Sequence, residues 1–312
     1  MSKRVLITGA AGYIGRTVAA ALSEHYPVLG LDRVRPEKSP CTMRCGDIRD
    51  PGLAELLRHE GITHVIHLAS VLEASGDDAR DYDIDVNGTR NVVAACLEAG
   101  VEHLTVTSSG AVYGYHPDHP AWINEDAPLR ANRDFSYAWH KRLVEEYLAA
   151  VRAQHPELRQ LILRPGTVLG TATHNQITRL FEGRRVLGIR GSDSPFVFLW
   201  DEDLAAIIEQ GVAASATGIY NLVGDGAVPI DEIARILGKP LLRLPAGLVR
   251  LALAVGHALG LSRYRPAQVN FLRYRPVLDN RRLREDFGYQ PRLNSRATFE
   301  LFVQHARARG QL

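Results

Sequence analysis

A chain of 312 residues, 46% hydrophobic and 23% charged, has enough apolar material for a large core, which excludes wholesale disorder. Its 37 Lys and Arg nearly balance 35 Asp and Glu, so there is no general field for a polyanion and no nucleic-acid partner is expected. Cys41, Cys45 and Cys96 form no CxxC pair, which argues against a disulfide scaffold or zinc ribbon, leaves no metal site to expect, and fits a reducing cytoplasm.

Ser2-Lys3-Arg4 runs directly into Val5-Leu6-Ile7 and polar Thr8, so no targeting segment is expected. Val5–Thr8 reads as a strand and Tyr13–Glu24 as a helix, and Val28–Leu31 is strand-like again. Leu53–His59 reads as helix, His64–Leu68 as a buried strand, and Val86–Ala99 as a helix closed by Gly100. Leu104–Thr107 and Leu161–Leu163 are strands flanking a long helix, Tyr137–Arg152, that ends before His155-Pro156. Short continuous apolar strands alternating with helices predict a parallel sheet covered on both faces, and right-handed crossovers make it doubly wound. After Arg164-Pro165 the pattern loosens. Phe196–Leu199 and Ile219–Val223 read as strands continuing the sheet. The expected division is a dinucleotide-binding domain over 1–165 with returning segments near 196–225, and a smaller substrate lobe over 166–195 and 226–312. The apolar stretch Ala246–Leu261 contains Arg250 and His257 and is below spanning length. It reads as an amphipathic helix packed on its own protein, and no membrane partner is expected.

Three motifs carry chemistry. Thr8-Gly9-Ala10-Ala11-Gly12-Tyr13-Ile14-Gly15 follows the first strand and opens the first helix. Gly9 allows the tight turn, Gly12 lets backbone approach a pyrophosphate, and Gly15 lets helix pack on strand. The helix N-terminus offers free N–H groups to that phosphate. Asp32 ends the next strand, about 20 residues on, where an acid accepts from both ribose hydroxyls and repels a 2′-phosphate. That favours NAD, with Arg33 leaving NADP as the alternative cofactor. In Tyr137-Ala138-Trp139-His140-Lys141, Tyr and Lys share a helix face, and the ammonium together with the positive nicotinamide ring is expected to favour the phenolate of Tyr137 as acid/base for a secondary alcohol. Ser109, in a Ser-rich turn at a strand's carboxyl end, is placed to hydrogen-bond the substrate oxygen.

Together these segments resemble the extended short-chain dehydrogenase/reductases, in the NAD-dependent epimerase/dehydratase family. The matches are TGAAGYIG at 8–15, Asp32, Gly46-Asp47-Ile48, His67-Leu68-Ala69-Ser70, Asn87-Gly88-Thr89, SSGAVYG at 108–114, YAWHK at 137–141 and Leu163-Arg164-Pro165-Gly166. Further matches are Leu199-Trp200-Asp201-Glu202-Asp203-Leu204-Ala205 and Tyr220-Asn221-Leu222-Val223-Gly224. The resemblance implies a Rossmann-type fold and a set of roles. Asp47 and Ile48 meet the adenine, Leu68, Ala69 and Ser70 line the pyrophosphate and ribose path, and Pro165 passes near the nicotinamide. Ser109, Tyr137 and Lys141 form the catalytic triad.

Departures bear on the substrate. Dehydratases of the family carry an acidic pair after the catalytic hydroxyl, where this chain has Gly110 and Ala111. Family helices often start with Asn where this chain has Asp85. The Arg-Asp pair that serves a sugar-nucleotide diphosphate is replaced by Ser194-Pro195, and an epimerase Asn by Thr167. Arg263, Arg265, Arg273, Arg275, Arg281, Arg282 and Arg284 cluster near the C-terminus, either as a solvated basic face or as replacement diphosphate ligands, with Arg263, Arg265, Arg273 and Arg275 the best placed. The leading reading is a nucleotide-sugar epimerase similar to UDP-glucose 4-epimerase. The alternatives are an NAD(P)-dependent dehydrogenase or reductase of a small or apolar alcohol, and a non-catalytic NAD(P) sensor. Leu143, Val144, Tyr147, Leu148 and Val151 exceed one buried stripe, which predicts a homodimer through the helices at 86–99 and 137–152.

Overall fold

Val5–Thr8 forms β1, a run of apolar and β-branched residues all buried from solvent, as a strand covered on both faces requires. A computed structural model describes residues 3–73, 75–260 and 265–312. After β1 come α1 (Tyr13–Ser23), β2 (Val28–Asp32), β3 (Thr42–Cys45), α2 (Leu53–His59), β4 (His64–His67), α3 (Asp78–Tyr82), α4 (Gly88–Ala99), β5 (His103–Thr107), α5 (Ser136–Gln154) and β6 (Arg159–Pro165). The second half contributes β7 (Thr167–Leu169), β8 (Val186–Ile189), β9 (Phe198–Trp200), α6 (Asp201–Ala214), β10 (Gly218–Leu222), α7 (Ile230–Leu237), β11 (Leu241–Leu244), α8 (Ala246–Ala258), α9 (Val269–Arg273), α10 (Arg281–Glu285) and α11 (Ser295–Ala308).

The central sheet has seven strands in the order β10-β6-β5-β4-β1-β2-β3, and every neighbouring pair is parallel. The chain winds outward one way through β2 and β3, then the other way from β4 to β6. A crevice therefore opens beyond the carboxyl ends of β1 and β4, the position where doubly wound sheets bind ligands. Helices α2, α4 and α5 cover one face with a core that includes Leu57, Val93 and Leu148. On the other face α1 and α6 bury Val18, Leu22, Ile207 and Ile208. Gly100 closes α4 at φ 72°, a left-handed cap that side chains rarely adopt.

Several expectations are revised. The edge strand β3 gave no pattern because its Thr-Met-Arg-Cys is mostly exposed. The helix expected from Val86 begins instead with a π-turn over Asp83–Asn87, which places Asp85 in the interior. The strand at Phe196–Leu199 does not extend the central sheet. Its ordered part, β9, pairs in parallel with β7, while Phe196 bridges to Val228. The reason is aromatic packing: Phe196 and Phe198 stack with centroids 5.6 Å apart, and Phe198 stacks on Phe299 of α11 at 5.1 Å. These rings build a separate core with Phe181, Ile233 and Phe302. Leu283 and Phe287, expected in the lobe, pack on the central sheet instead, with the Phe287 ring 5.0 Å from Tyr220. Helix α8 packs on its own protein as expected, through Ala246, Val249 and Leu253, but of its 13 residues only Val249 is buried. Leu261 and Arg263 lie outside the described residues.

Candidate active site

Every residue expected to hold the cofactor, together with Ser109, Tyr137 and Lys141, lines one cavity of about 790 Å³ over the carboxyl ends of the strands. At its cofactor end the glycines are sterically required. A Cβ on Gly9, whose φ is +71°, would lie 2.8 Å from the Ala69 amide nitrogen, and one on Gly15 would lie 2.1 Å from the Gly9 carbonyl oxygen. Gly12 caps α1 without a side-chain partner, so the first-turn amides face the cavity free to receive an anion. Asp32 accepts from the Ala11 amide at 2.9 Å and the Val34 amide at 3.1 Å. It therefore fastens the glycine loop, and its carboxylate retains lone pairs for a further donor. The Tyr13 hydroxyl donates to Asp201, tying α1 to α6. Beside Ile14 and Ile48, the cavity wall depends on Gly88, whose Cβ would fall 2.5 Å from Ile48 Cδ1.

Asp47 lines the same cavity and is held by arginines of its own chain. Its oxygens receive Arg49 Nε at 2.9 Å and Arg49 Nη2 at 2.7 Å, with Arg33 Nε 3.7 Å away. The hydrogen bond from Arg49 leads the causes that hold the Asp47 carboxyl down at about 2. Its principal partner among the described residues is therefore Arg49, and the carboxylate still lines the cavity. The same geometry draws Arg33 toward Asp47.

At the substrate end, Ser109 ends the turn after β5. Its Oγ accepts from the Ala111 amide at 3.1 Å, and Ser109 and Tyr137 line the same cavity. Lys141 is buried, donates from Nζ to the Thr107 carbonyl at 2.8 Å, and stands 5.7 Å from the centre of the Tyr137 ring. The three side chains of the expected triad come together on the cavity wall. Burial pushes the Tyr137 hydroxyl up to about 12, and the neighbouring Ser109 hydroxyl opposes this only partly. Without further positive charge, the phenol remains a proton donor.

Sequence reasoning missed the buried network behind the triad. Asp85 accepts from Ser70 Oγ at 3.0 Å and the Val71 amide at 2.7 Å, and its other oxygen lies 3.0 Å from His140 Nδ1. His67 bridges Thr8 Oγ1 at 2.7 Å and Thr89 Oγ1 at 2.9 Å. Under Pro165, Arg164 grips Glu145 bidentately, with Nη2 2.6 Å from Oε2, and both are nearly inaccessible. The Asn-to-Asp change at position 85 was the available signal, but its partner in the middle of the YAWHK motif could not be inferred from spacing.

The arginine-rich stretch divides by environment. Arg281, Arg282 and Arg284 pair with Asp279, Asp126 and Asp225, and Arg265 lies 3.6 Å from Asp78. Those four match the solvated-face reading. Arg273 stacks on Tyr274 and does not line the cavity. Arg275 does line it, with its guanidinium carbon 3.7 Å from the centre of the Phe196 ring and 4.0 Å from that of Phe271. Its Nε donates to Ser194 Oγ at 3.2 Å, while its Nη2 is buried with no hydrogen-bond partner among the described residues. Burial pushes this guanidinium down to about 9.

The architecture and glycine loop define a dinucleotide-binding enzyme of the doubly wound α/β class. Residues 5–185 match the family model described as the NAD dependent epimerase/dehydratase family, and the chain belongs to that family, among the NAD-using extended short-chain dehydrogenase/reductases. It is 29% identical over 323 aligned positions to a Mycobacterium tuberculosis protein described as uncharacterized, covering 99% of this chain and 84% of that one. Among solved structures it resembles a Thermus thermophilus UDP-glucose 4-epimerase complexed with NAD, at 25% identity and TM-score 0.75, covering 97% and 99% of the two chains. A Thermotoga maritima UDP-glucose 4-epimerase with UDP-glucose superimposes with TM-score 0.77 over 98% and 99% of the chains, at 18% identity, which shows the shared fold.

Proposed function

We propose that this chain is a nucleotide-sugar epimerase acting at a secondary hydroxyl, with Arg275 as a ligand for the substrate diphosphate. The observation that carries the reading is that buried guanidinium. It faces the cavity without a carboxylate partner among the described residues, and one of its terminal nitrogens is unsatisfied. A buried polar group left unpaired costs about 1–3 kcal/mol, a cost that an incoming anion removes. Arg275 reaches the position where Ser194-Pro195 replaced the family's Arg-Asp pair, and Ser194 itself accepts its Nε–H.

The residues at the other end fit NAD. The α1 amides and the Gly9–Gly15 loop would hold the pyrophosphate, Asp32 the adenosine ribose, and Lys141 the nicotinamide ribose. Leu68, Ala69, Ser70, Ile48 and Pro165 would form the walls. When bound, NAD supplies the hydride acceptor and a positive ring. Ser109 fixes the substrate hydroxyl, and Tyr137 takes its proton and later returns it. Arg275 would anchor the diphosphate while the ketone sugar turns its other face toward the nicotinamide position, so that the hydride would return to carbon with inversion and Tyr137 would give its proton back to the same sugar oxygen. Elimination of water is disfavoured by sterics as well as chemistry. Gly110 packs against the Leu278 side chain, so an acidic residue there would require that leucine to move.

Calorimetry with UDP and thymidine diphosphate, followed by incubation with UDP-glucose and UDP-galactose, tests the reading. Interconversion without free NADH is expected. Net NADH release with simple alcohols and no diphosphate binding would overturn it in favour of a dehydrogenase.

A further inference from the structure

We infer that α8 is a bilayer-docking surface that lies in the plane of an anionic membrane. The helix turns Val249 and Leu253 toward Ile189, Val269 and Leu272. Away from that contact, Leu248, Leu251, Val255 and Leu259 are 52%, 61%, 50% and 65% exposed. Their spacing of three, four and four residues puts them on one stripe. A continuous stripe of large aliphatic side chains left in water is a surface that demands cover. No helix among the described residues is long and apolar enough to cross a membrane, so α8 would lie on a bilayer rather than span it.

Charge selects the occupant. From Ile233 to Leu278 the chain contains eight Lys or Arg and no Asp or Glu, although the whole chain is nearly balanced. Arg250 is exposed and pairs with no carboxylate among the described residues, and Arg243 precedes the helix. Arg235 and Arg265 pair with Asp231 and Asp78 and Arg275 lies in the cavity, so a second copy packed symmetrically on this face would set chiefly the unpaired Arg250 of each copy against the other. An anionic lipid surface complements both the apolar stripe and the basic flank. Helix α8 packs on α9, which carries Phe271 into the cavity beside Arg275, so docking brings the substrate end of the site to the bilayer. This inference does not depend on the epimerase reading, and it departs from the sequence expectation of no membrane partner.

The test is co-sedimentation of the full chain with vesicles of one-quarter phosphatidylglycerol and three-quarters phosphatidylethanolamine, and with pure phosphatidylcholine. Wild-type protein should partition onto the anionic vesicles and much less onto phosphatidylcholine. Leu251→Glu combined with Val255→Glu should weaken partitioning by about tenfold or more. Arg243→Glu combined with Arg250→Glu should weaken it on anionic vesicles alone. Unchanged circular dichroism and NAD affinity establish that the variants are folded. Wild-type protein remaining in the supernatant, or partitioning that survives Leu251→Glu with Val255→Glu, would overturn the inference. So would a wild-type dimer by light scattering that becomes monomeric in that double variant, since the stripe would then cover a second copy.

Discussion

Replacing Arg275 with Met separates a binding role from a structural one. Met keeps an unbranched apolar side chain between Phe196 and Phe271 but removes the guanidinium. Two effects on the ligand-free protein oppose each other. Losing the stacked, desolvated cation from two aromatic faces costs about 2 kcal/mol. Relieving a buried nitrogen that has no partner returns about 1–3 kcal/mol. The net change in stability should be small, and the melting temperature should move by no more than about 3 °C. Diphosphate binding has no such compensation. Loss of one charge-assisted contact is worth about 1.5–3 kcal/mol, or roughly 10- to 150-fold in affinity for UDP. Isothermal calorimetry with UDP and with NAD, alongside thermal melts, checks both. NAD affinity should be unchanged, because the glycine loop lies at the other end of the cavity. A variant that melts about 10 °C lower yet binds UDP normally would show that Arg275 only braces the aromatic rings, and the epimerase argument would lose its support.

Tyr137→Phe should leave NAD affinity intact and lower turnover by about 10²–10⁴-fold, and near-normal turnover would refute the proton-transfer role. The same variant should alter alkaline stability. Burial raises the folded-state phenol to about 12, above its unfolded value near 10. Its contribution is therefore fully present below pH 10 and is lost as pH rises toward 12. Urea midpoints at pH 9 and 11.5 should fall less steeply in Tyr137→Phe than in wild type, and parallel slopes would contradict the shift. Asp32 lines the cavity beside the glycine loop while Arg33 is drawn to Asp47, so fluorescence titration should find NAD bound more tightly than NADP. Equal affinities would make Arg33 a reader of the 2′-phosphate. Light scattering at micromolar concentration should give a dimer mass if Leu97, Leu143 and Tyr147, only partly buried in the single chain, complete a contact between copies. A monomer would rule that contact out.

The sequence by itself determined whatever depends on neighbours along the chain. The glycine loop was legible because steric room and the helix N-terminus are local properties, and the structure finds a Cβ at Gly9 or Gly15 impossible without movement. Tyr137 and Lys141 were legible because one helical turn sets their relation. The alternation of buried strands and helices fixed the double winding through β6. Tertiary structure decided the rest, wherever a residue's meaning depends on a partner remote in sequence. Asp47 looked open until Arg49 and Arg33 folded onto it. Asp85 and His140, 55 residues apart, meet only because α5 packs on the π-turn. The clustered arginines were equivalent as sequence, and packing separated them. Most found surface carboxylates, whereas Arg275 was caught between Phe196 and Phe271 with one nitrogen unpaired toward the cavity. Helix α8 read as an ordinary amphipathic helix, because a sequence pattern records which side chains are apolar but not whether anything in the fold covers them.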